Sequence, residues 1–270
     1  MSKPSATYTH GHHESVLRSH TWRTATNSAG YLLDSLESHM HILDVGCGPG
    51  TITTDLARYV PQGRAVGIDN SAEVVEKAAA LASEGGQNVT FEVGDIHKLN
   101  YPDASFDVVH AHQVLQHVTS PVEVLLEMKR LTKPGGIIAV RSVDFAAMTW
   151  YPEVEGLREW QQLYLDVARY LRGEPTAGRQ LHAWAKRAGL DAEKVKAGAD
   201  TWCFNTPEER KWWSELWADR MTTSSFAKNA IESKYATKEK LEKIAEAWRV
   251  WGAQEDGWFA VLHGQILCRV

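Results

Sequence analysis

Short apolar runs alternate with helix-length amphipathic stretches through the first half of the chain. Runs such as HILDVG, AVGID, VTFEVGD, FDVVHAHQVL and IIAVRSVD have the length of buried strands. The stretches between them, such as NSAEVVEKAAALASEGG, place apolar residues near a 3.6-residue period and end in glycine or proline. Strands and helices that alternate at this spacing are typical of a parallel sheet with helices on both faces. The pattern predicts an α/β fold.

The alternation breaks after Asp144. A helix (GRQLHAWAKRAGL) and two further strands (EKVKAGADTWCF and WFAVLHGQILCRV) complete the pattern, and helical insertions without a clear strand are predicted at about 145–180 and 207–255. Ten of the eleven tryptophans lie at or beyond Trp150, so the insertions are also the aromatic part of the chain. We therefore predict an N-terminal lid and helix over 1–38, the helix itself over Thr21–Ser38, and one domain over 39–270.

Composition narrows the function classes. A net charge of −5 over 270 residues gives no general attraction to nucleic acid or to anionic membranes. No run reaches the ~20 apolar residues of a membrane span, and residues 1–17 contain no apolar core of signal-peptide length. Three widely spaced cysteines form neither a disulfide framework nor a zinc pattern. We expect a cytoplasmic protein with no nucleic-acid partner and no membrane span.

The stretch ILDVGCGPGT, from Ile42 to Thr51, leaves the first strand and opens the first helix of the alternation. Such a turn puts backbone N–H groups at the carboxyl end of the sheet, where ligands of open α/β sheets bind. A tight strand–helix connection is the plain alternative. Asp44, Asp69 and Asp95 end the first three strands, and carboxylates suit a cation, ribose hydroxyls and an adenine amino group better than a phosphate.

The segments LDVGCGPGT, VGIDNS, FEVGDIHKL, FDVVHAHQVLQHV and LTKPGG occur in this order. Together they closely resemble the successive motifs of class I S-adenosylmethionine-dependent methyltransferases, and most closely the group that includes the ubiquinone and menaquinone C-methyltransferases. The resemblance covers about residues 40–145. It implies a Rossmann-like seven-stranded sheet of order 3-2-1-4-5-7-6, with the last strand antiparallel. It also implies S-adenosylmethionine as cofactor, S-adenosylhomocysteine as product, and methyl transfer by in-line displacement.

The same resemblance implies the cofactor-binding residues. The glycine turn would lie under the methionine moiety, Asp69 would bind the ribose diol, Asp95 would hold the adenine, and the segment after the fourth strand would line the methionine end. The full set implied is Tyr8, Asp44, Gly46, Cys47, Gly48, Asp69, Asn70, Asp95, Ile96, His112, Gln113 and Val114. Arg18 or Arg23 is a further candidate, as a partner of the methionine carboxylate.

The acceptor side is less defined. The signature segments of the quinone enzymes near the fourth and fifth strands are not evident, so we expect a small apolar or aromatic acceptor that need not be a quinone. His117 is the candidate general base and Asp144 a second one, with helix packing and capping as the alternative readings. Trp150 is the candidate for acceptor contact, with core packing as its alternative.

Three further interpretations stay open at this point. Surplus aromatic surface could form a homodimer interface. The histidines at positions 10, 12, 13 and 20 match no zinc spacing, so no metal is expected. A protein or nucleic-acid methyltransferase, or a non-catalytic cofactor-binding scaffold, is the alternative function; the acidic balance and HAHQ in place of an NPPY-type tetrapeptide disfavour the former.

Overall fold

The computed structural model describes residues 21–82 and 88–270. Within them the strands are β1 (His41–Val45), β2 (Arg64–Asp69), β3 (Val89–Val93), β4 (Phe106–His112), β5 (Thr132–Val143), β6 (Thr149–Tyr151), β7 (Val195–Phe204) and β8 (Trp258–Arg269). The helices are α1 (Ala25–Leu33), α2 (Thr51–Tyr59), α3 (Ala72–Ala82), α4 (Pro121–Leu131), α5 (Leu157–Tyr170), α6 (Ala177–Arg187), α7 (Pro207–Thr223), α8 (Ser225–Glu232) and α9 (Lys238–Gly252). Short 3₁₀ turns occupy Leu115–His117 and Phe145–Ala147.

One sheet runs in the order β3-β2-β1-β4-β5-β8, with β7 on the outer edge of β8. The first five strands are mutually parallel, and β8 is antiparallel to both β5 and β7. Numbered without the short strand β6, this is the predicted order 3-2-1-4-5-7-6 with an antiparallel last strand. The predicted α/β class and strand order are therefore confirmed.

Parallel strands buried on both faces explain the near-continuous apolar runs of the sequence. Ile42, Val108 and Ile137 pack on one face against α1 and α2, whereas Leu43, Val109 and Ile138 pack on the other face against α4 and α6. A third cluster joins the helices of the two predicted insertions, and its largest members are tryptophans. Most of the tryptophans are thus core residues of the layer next to β8.

Two sequence-based boundaries are wrong. The helix predicted over Thr21–Ser38 is shorter in the structure: it begins at Ala25, where Thr24 and Asn27 form a reciprocal capping box, and it ends at Leu33, short of Ser38. A three-residue strand, β6, lies in the segment predicted to lack one, and it pairs with residues 258–260 of β8. Three residues are too few to show a two-residue alternation, so the pattern gave no signal for it.

Candidate functional site

The glycine turn between β1 and α2 has a left-handed backbone. Gly46, Gly48 and Gly50 adopt φ values of +70°, +54° and +79°. Only glycine adopts this region without a steric penalty. The N–H groups of Gly46 and Cys47 donate to the Ile68 carbonyl, at 2.7 and 2.9 Å. The turn is therefore fixed to the end of β2, at the carboxyl edge of the sheet.

Asp69, the last residue of β2, holds the turn from the other side. Its Oδ2 accepts the Gly48 N–H at 3.1 Å, and its Oδ1 accepts the Ser71 N–H at 3.1 Å. The carboxylate is half-buried, and each oxygen retains an acceptor site. Asp69 can therefore order the turn and still accept hydrogen bonds from a diol.

Asp44 lies beneath the turn, away from the surface. Its side chain is buried, with one oxygen accepting from the Thr53 hydroxyl at 2.6 Å and the other from His110 Nδ1 at 2.7 Å. These contacts join β1, α2 and β4 at their site-facing ends. A direct contact between Asp44 and the cofactor sulfonium stays a prediction. The pairing of His110 with Asp44 was not predicted, because the two residues are 66 positions apart in the sequence.

The predicted adenine-binding residues that follow β3 are partly or largely exposed to solvent. The Asp95 side chain is largely exposed and accepts from the His97 N–H at 3.0 Å, which lowers the pKa of this carboxyl. Ile96 is half-buried against the core, and Asn70 at the end of β2 is exposed. The ends of β2 and β3 thus form an accessible edge beside the glycine turn, of a kind that an adenosine could occupy.

The segment after β4 turns sharply toward the glycine turn. Gln113 has a φ of +56°, and its backbone N–H donates to the Arg141 carbonyl at 2.7 Å. Its side chain links Arg23, which donates to Oε1 at 3.0 Å, with His263, whose Nε2 lies 2.9 Å from the amide nitrogen. A Cβ added at Gly46 would lie 2.4 Å from Val114 Cγ2, so Val114 packs directly on the turn.

The two candidate bases have different surroundings. His117 is half-buried, and desolvation, followed by the charge of Arg23, lowers its pKa to about 3. It is neutral at pH 7 and a weak proton acceptor. Asp144 is buried and forms a two-point ion pair with Arg179, through Nε and, at 2.8 Å, through Nη2. That pairing occupies both carboxylate oxygens of Asp144 and disfavours it as a base.

Trp150 on β6 lies in the aromatic core. Only 4% of its surface is exposed; its ring stacks 5.7 Å from Phe259, and the Arg158 guanidinium lies 4.4 Å from its centroid. This packing favours the structural reading of Trp150 over the predicted place at a pocket mouth. Its contact with an acceptor stays a prediction.

Several predictions fall outside the described residues, namely those on Tyr8, Arg18 and the histidines at 10, 12, 13 and 20. Within residues 21–82 and 88–270, no group of three or more His, Cys, Asp or Glu side chains could hold a metal ion. In the same ranges, no helix has the length and hydropathy of a membrane span.

The residues at the carboxyl edge fit S-adenosylmethionine. The glycines of the turn have no side chains, so a ligand can approach its backbone closely. Cys47 is buried within the turn, and desolvation raises the pKa of its thiol, which keeps the thiol neutral. Asp69 and Asp95 provide acceptors for hydroxyl and amino groups, and both would repel a phosphate. Asp69, Asn70, Asp95 and Ile96 would hold the adenosine, and Gly46, Gly48, Gln113 and Val114 the methionine end.

Comparisons with known proteins agree with this geometry. The family described as "Methyltransferase domain" matches residues 36–216. An uncharacterized methyltransferase of Schizosaccharomyces pombe is 39% identical and covers 99% of this chain and 98% of its own length. The ubiquinone/menaquinone biosynthesis C-methyltransferase of Bdellovibrio bacteriovorus is 37% identical over 37% of this chain and 42% of its own, which confirms the resemblance to that group.

Among solved structures, the phosphoethanolamine N-methyltransferase 2 of Haemonchus contortus, in complex with phosphomonomethylethanolamine and S-adenosylhomocysteine, aligns with a TM-score of 0.51. The alignment covers 86% of this chain and 49% of that chain at 18% identity. At this identity the likeness shows the fold.

Proposed function

The chain belongs to the methyltransferase-domain family, and from this premise we propose that it transfers a methyl group from S-adenosylmethionine to a small-molecule acceptor with an aromatic or apolar body. The observation that carries the proposal is the glycine turn fixed to Asp69. A half-buried carboxylate that already accepts from the N–H of Gly48, the middle one of three positive-φ glycines, and from the N–H of Ser71 is preorganised for the ribose of the donor.

The donor supplies an electrophilic methyl group on a positively charged sulfur. Bound at the glycine turn, the donor would supply this methyl group to a lone pair of the acceptor, and the electron pair of the broken carbon–sulfur bond would stay on sulfur. The chain's contribution is alignment and exclusion of water, because the step needs no covalent enzyme intermediate. Gln113 is suited to alignment, since two side chains and the backbone of β5 fix its orientation.

The protonation states of the two histidines near Gln113 favour an acidic acceptor. Burial lowers the pKa of His117 to about 3 and the pKa of His112 well below the usual range. Both imidazoles are neutral at pH 7, and neither binds a proton strongly. An acceptor oxygen that is already acidic suits such a site better than an aliphatic alcohol or an ammonium group.

Calorimetric titration tests the donor. We expect S-adenosylhomocysteine and S-adenosylmethionine to bind at micromolar or lower concentrations, and NAD, which carries two phosphates, to give no heat at the same concentrations. Binding of NAD with no binding of S-adenosylhomocysteine would contradict the proposed function. The cytoplasmic location, the homodimer and the absence of a nucleic-acid partner stay predictions.

A further inference from the structure

A group of polar and aromatic side chains is buried under α1, on the sheet face beside Gln113. We define the basic cluster as Tyr31 from α1, His112 from β4, Arg141 from β5, Trp202 from β7 and His263 from β8. His112 and Arg141 are direct neighbours in the register of β4 and β5. The Trp202 ring lies 4.3 Å from His263 and 5.8 Å from His112, and the Arg141 guanidinium lies 5.6 Å from it.

The cluster holds unsatisfied polar atoms. Tyr31 Oη, Arg141 Nε and both ring nitrogens of His112 are buried and have no hydrogen-bond partner among the described residues. A buried donor or acceptor without a partner is unfavourable, because it has lost its hydrogen bonds to water without replacing them. Four such atoms, from three different elements and within one cluster, indicate a place for a polar ligand.

The charge of the cluster is positive. Arg141 is completely buried; its Nη1 donates to the Asn27 carbonyl at 2.8 Å, and its Nη2 lies 3.2 Å from Asp200 Oδ2, on a side chain that is about half exposed. Arg23 adds a second guanidinium, 5.6 Å from the Trp202 ring. The two arginines face the partly solvated carboxylate of Asp200, and the other nearby carboxylate, Asp44, lies beneath the glycine turn with Thr53 and His110 as its hydrogen-bond partners.

The neighbouring histidine is already oriented. His263 Nδ1 donates to the Val261 carbonyl at 3.0 Å, so its Nε2 accepts from the Gln113 amide at 2.9 Å. Burial and the two arginines lower the pKa of His263 and His112, which keeps both rings neutral. Both ring nitrogens of His263 therefore already have partners, whereas the ring nitrogens of His112 can hydrogen-bond to a ligand.

The cluster adjoins the proposed donor site but lies on its far side. His112 precedes Gln113, and Val114 packs on Gly46 of the turn. Arg141, however, is on β5, with its guanidinium directed at α1 and β7, two strands from β1. An anion on Arg141 would thus sit where an acceptor, and not the adenosine, is expected.

We propose that the basic cluster is the acceptor subsite and that it recognises acceptors that carry a carboxylate, which pairs with Arg141 and hydrogen-bonds to Tyr31 and His112. This inference rests on the proposed methyltransferase function, and it specifies the chemical class of the acceptor. The aromatic faces of Trp202 and His263 would flank the acceptor's body.

Ligand-observed ¹⁹F NMR with 4-fluorobenzoate and its neutral analogue 4-fluorobenzamide tests the subsite in the presence of saturating S-adenosylhomocysteine. We expect the ¹⁹F resonance of 4-fluorobenzoate to broaden when the protein is added, and we expect 4-fluorobenzoate to bind at least tenfold more tightly than 4-fluorobenzamide. Arg141→Met should lower the carboxylate affinity at least tenfold, whereas Arg269→Met, at an exposed position at the far end of β8, should leave it unchanged. Equal binding of acid and amide to the native chain would overturn the proposal.

A second variant does not depend on removing a buried arginine. Asp200→Asn takes away the carboxylate that competes for Arg141, so it should tighten 4-fluorobenzoate binding several-fold and leave 4-fluorobenzamide unaffected. Unchanged or weaker carboxylate binding in this variant, with the fold intact by circular dichroism, would mean that the Arg141–Asp200 pair is only structural and would overturn the proposal.

The donor also carries a carboxylate, on its methionine moiety, and calorimetry separates the two sources. We expect S-adenosylhomocysteine to bind Arg141→Met within twofold of the native chain. A tenfold loss would assign Arg141 to the donor's carboxylate and overturn the acceptor subsite. If the native chain does not bind S-adenosylhomocysteine, the proposed function fails; if it does and the acid shows no preference, only the subsite fails.

Discussion

At the scale of single residues, backbone conformation decides what the glycine turn can hold. Gly46 combines a φ of +70° with direct packing against Val114, so a side chain there meets both a strained backbone and an occupied space. Gly30, in α1, has open space around its Cβ position. The two glycines therefore provide a matched pair.

We predict that Gly46→Ala destabilises the protein by more than about 1 kcal/mol, because the added methyl group would lie 2.4 Å from Val114 Cγ2 in a backbone region that alanine avoids. Gly30→Ala should be neutral or stabilising by up to about 1 kcal/mol, since alanine is the better helix former. Urea unfolding of both variants checks this. Equal stability of the two would contradict the strain assigned to the turn.

Asp69 is the carboxylate that we expect to bind the ribose of the donor. Asp69→Ala should weaken S-adenosylhomocysteine binding by about 1–3 kcal/mol, because the ribose loses a charged acceptor and the Gly48 N–H loses its partner. Asp103→Ala, at an exposed carboxylate far from the turn, serves as the control. Calorimetry on both gives the answer, and an unaltered dissociation constant for Asp69→Ala would remove Asp69 from the site.

At the scale of elements, Asp44 connects three of them. Its two hydrogen bonds reach α2 through Thr53 and β4 through His110, so it sets how the helix and strand meet at the turn. The connection is buried, which makes each bond costly to break while the carboxylate remains.

Thr53→Val keeps the shape of the side chain and removes the hydroxyl. We predict a loss of about 1–3 kcal/mol in the free energy of unfolding, because the Asp44 carboxylate loses one of its two buried donors. Thr54→Val, at the adjacent half-buried position of α2, should change stability by less than about 0.5 kcal/mol. Comparable losses in the two variants would show that the Asp44 connection carries no special weight.

The length of each helix and strand decides how much of the fold could be predicted from the sequence. The strands and helices between His41 and Val143 were predictable because each is long enough to show its period. The three-residue β6 was not. The basic cluster was missed because its members come from five elements, although Arg141 in IIAVRSVD and His263 in WFAVLHGQILCRV are polar residues inside apolar strands and were the available signal.

At the scale of the whole molecule, the third hydrophobic cluster, whose largest members are tryptophans, packs the helical insertions against the sheet. Trp160 is fully buried, with its ring 4.7 Å from both Trp217 and Trp248, while Phe259 of β8 closes the cluster. The insertions and β8 therefore share one core, which also includes Trp202 of the basic cluster.

We predict that Trp160→Ala destabilises the protein by about 3–5 kcal/mol, because it empties a large volume at the centre of this core. Trp258→Ala should cost clearly less, since 39% of that residue is already exposed. Chemical denaturation followed by circular dichroism measures both. A loss at Trp160 no larger than that at Trp258 would show that the aromatic layer does not stabilise the fold.

A crystal structure of the chain with S-adenosylhomocysteine would test the methyl-donor site most directly. We expect the ribose hydroxyls within hydrogen-bonding distance of Asp69, the adenine beside Asp95 and Ile96, and the sulfur near Gln113, with the basic cluster beyond it. Ligand density away from the glycine turn, or a ribose that makes no contact with Asp69, would show that this turn and carboxylate do not form the methyl-donor site.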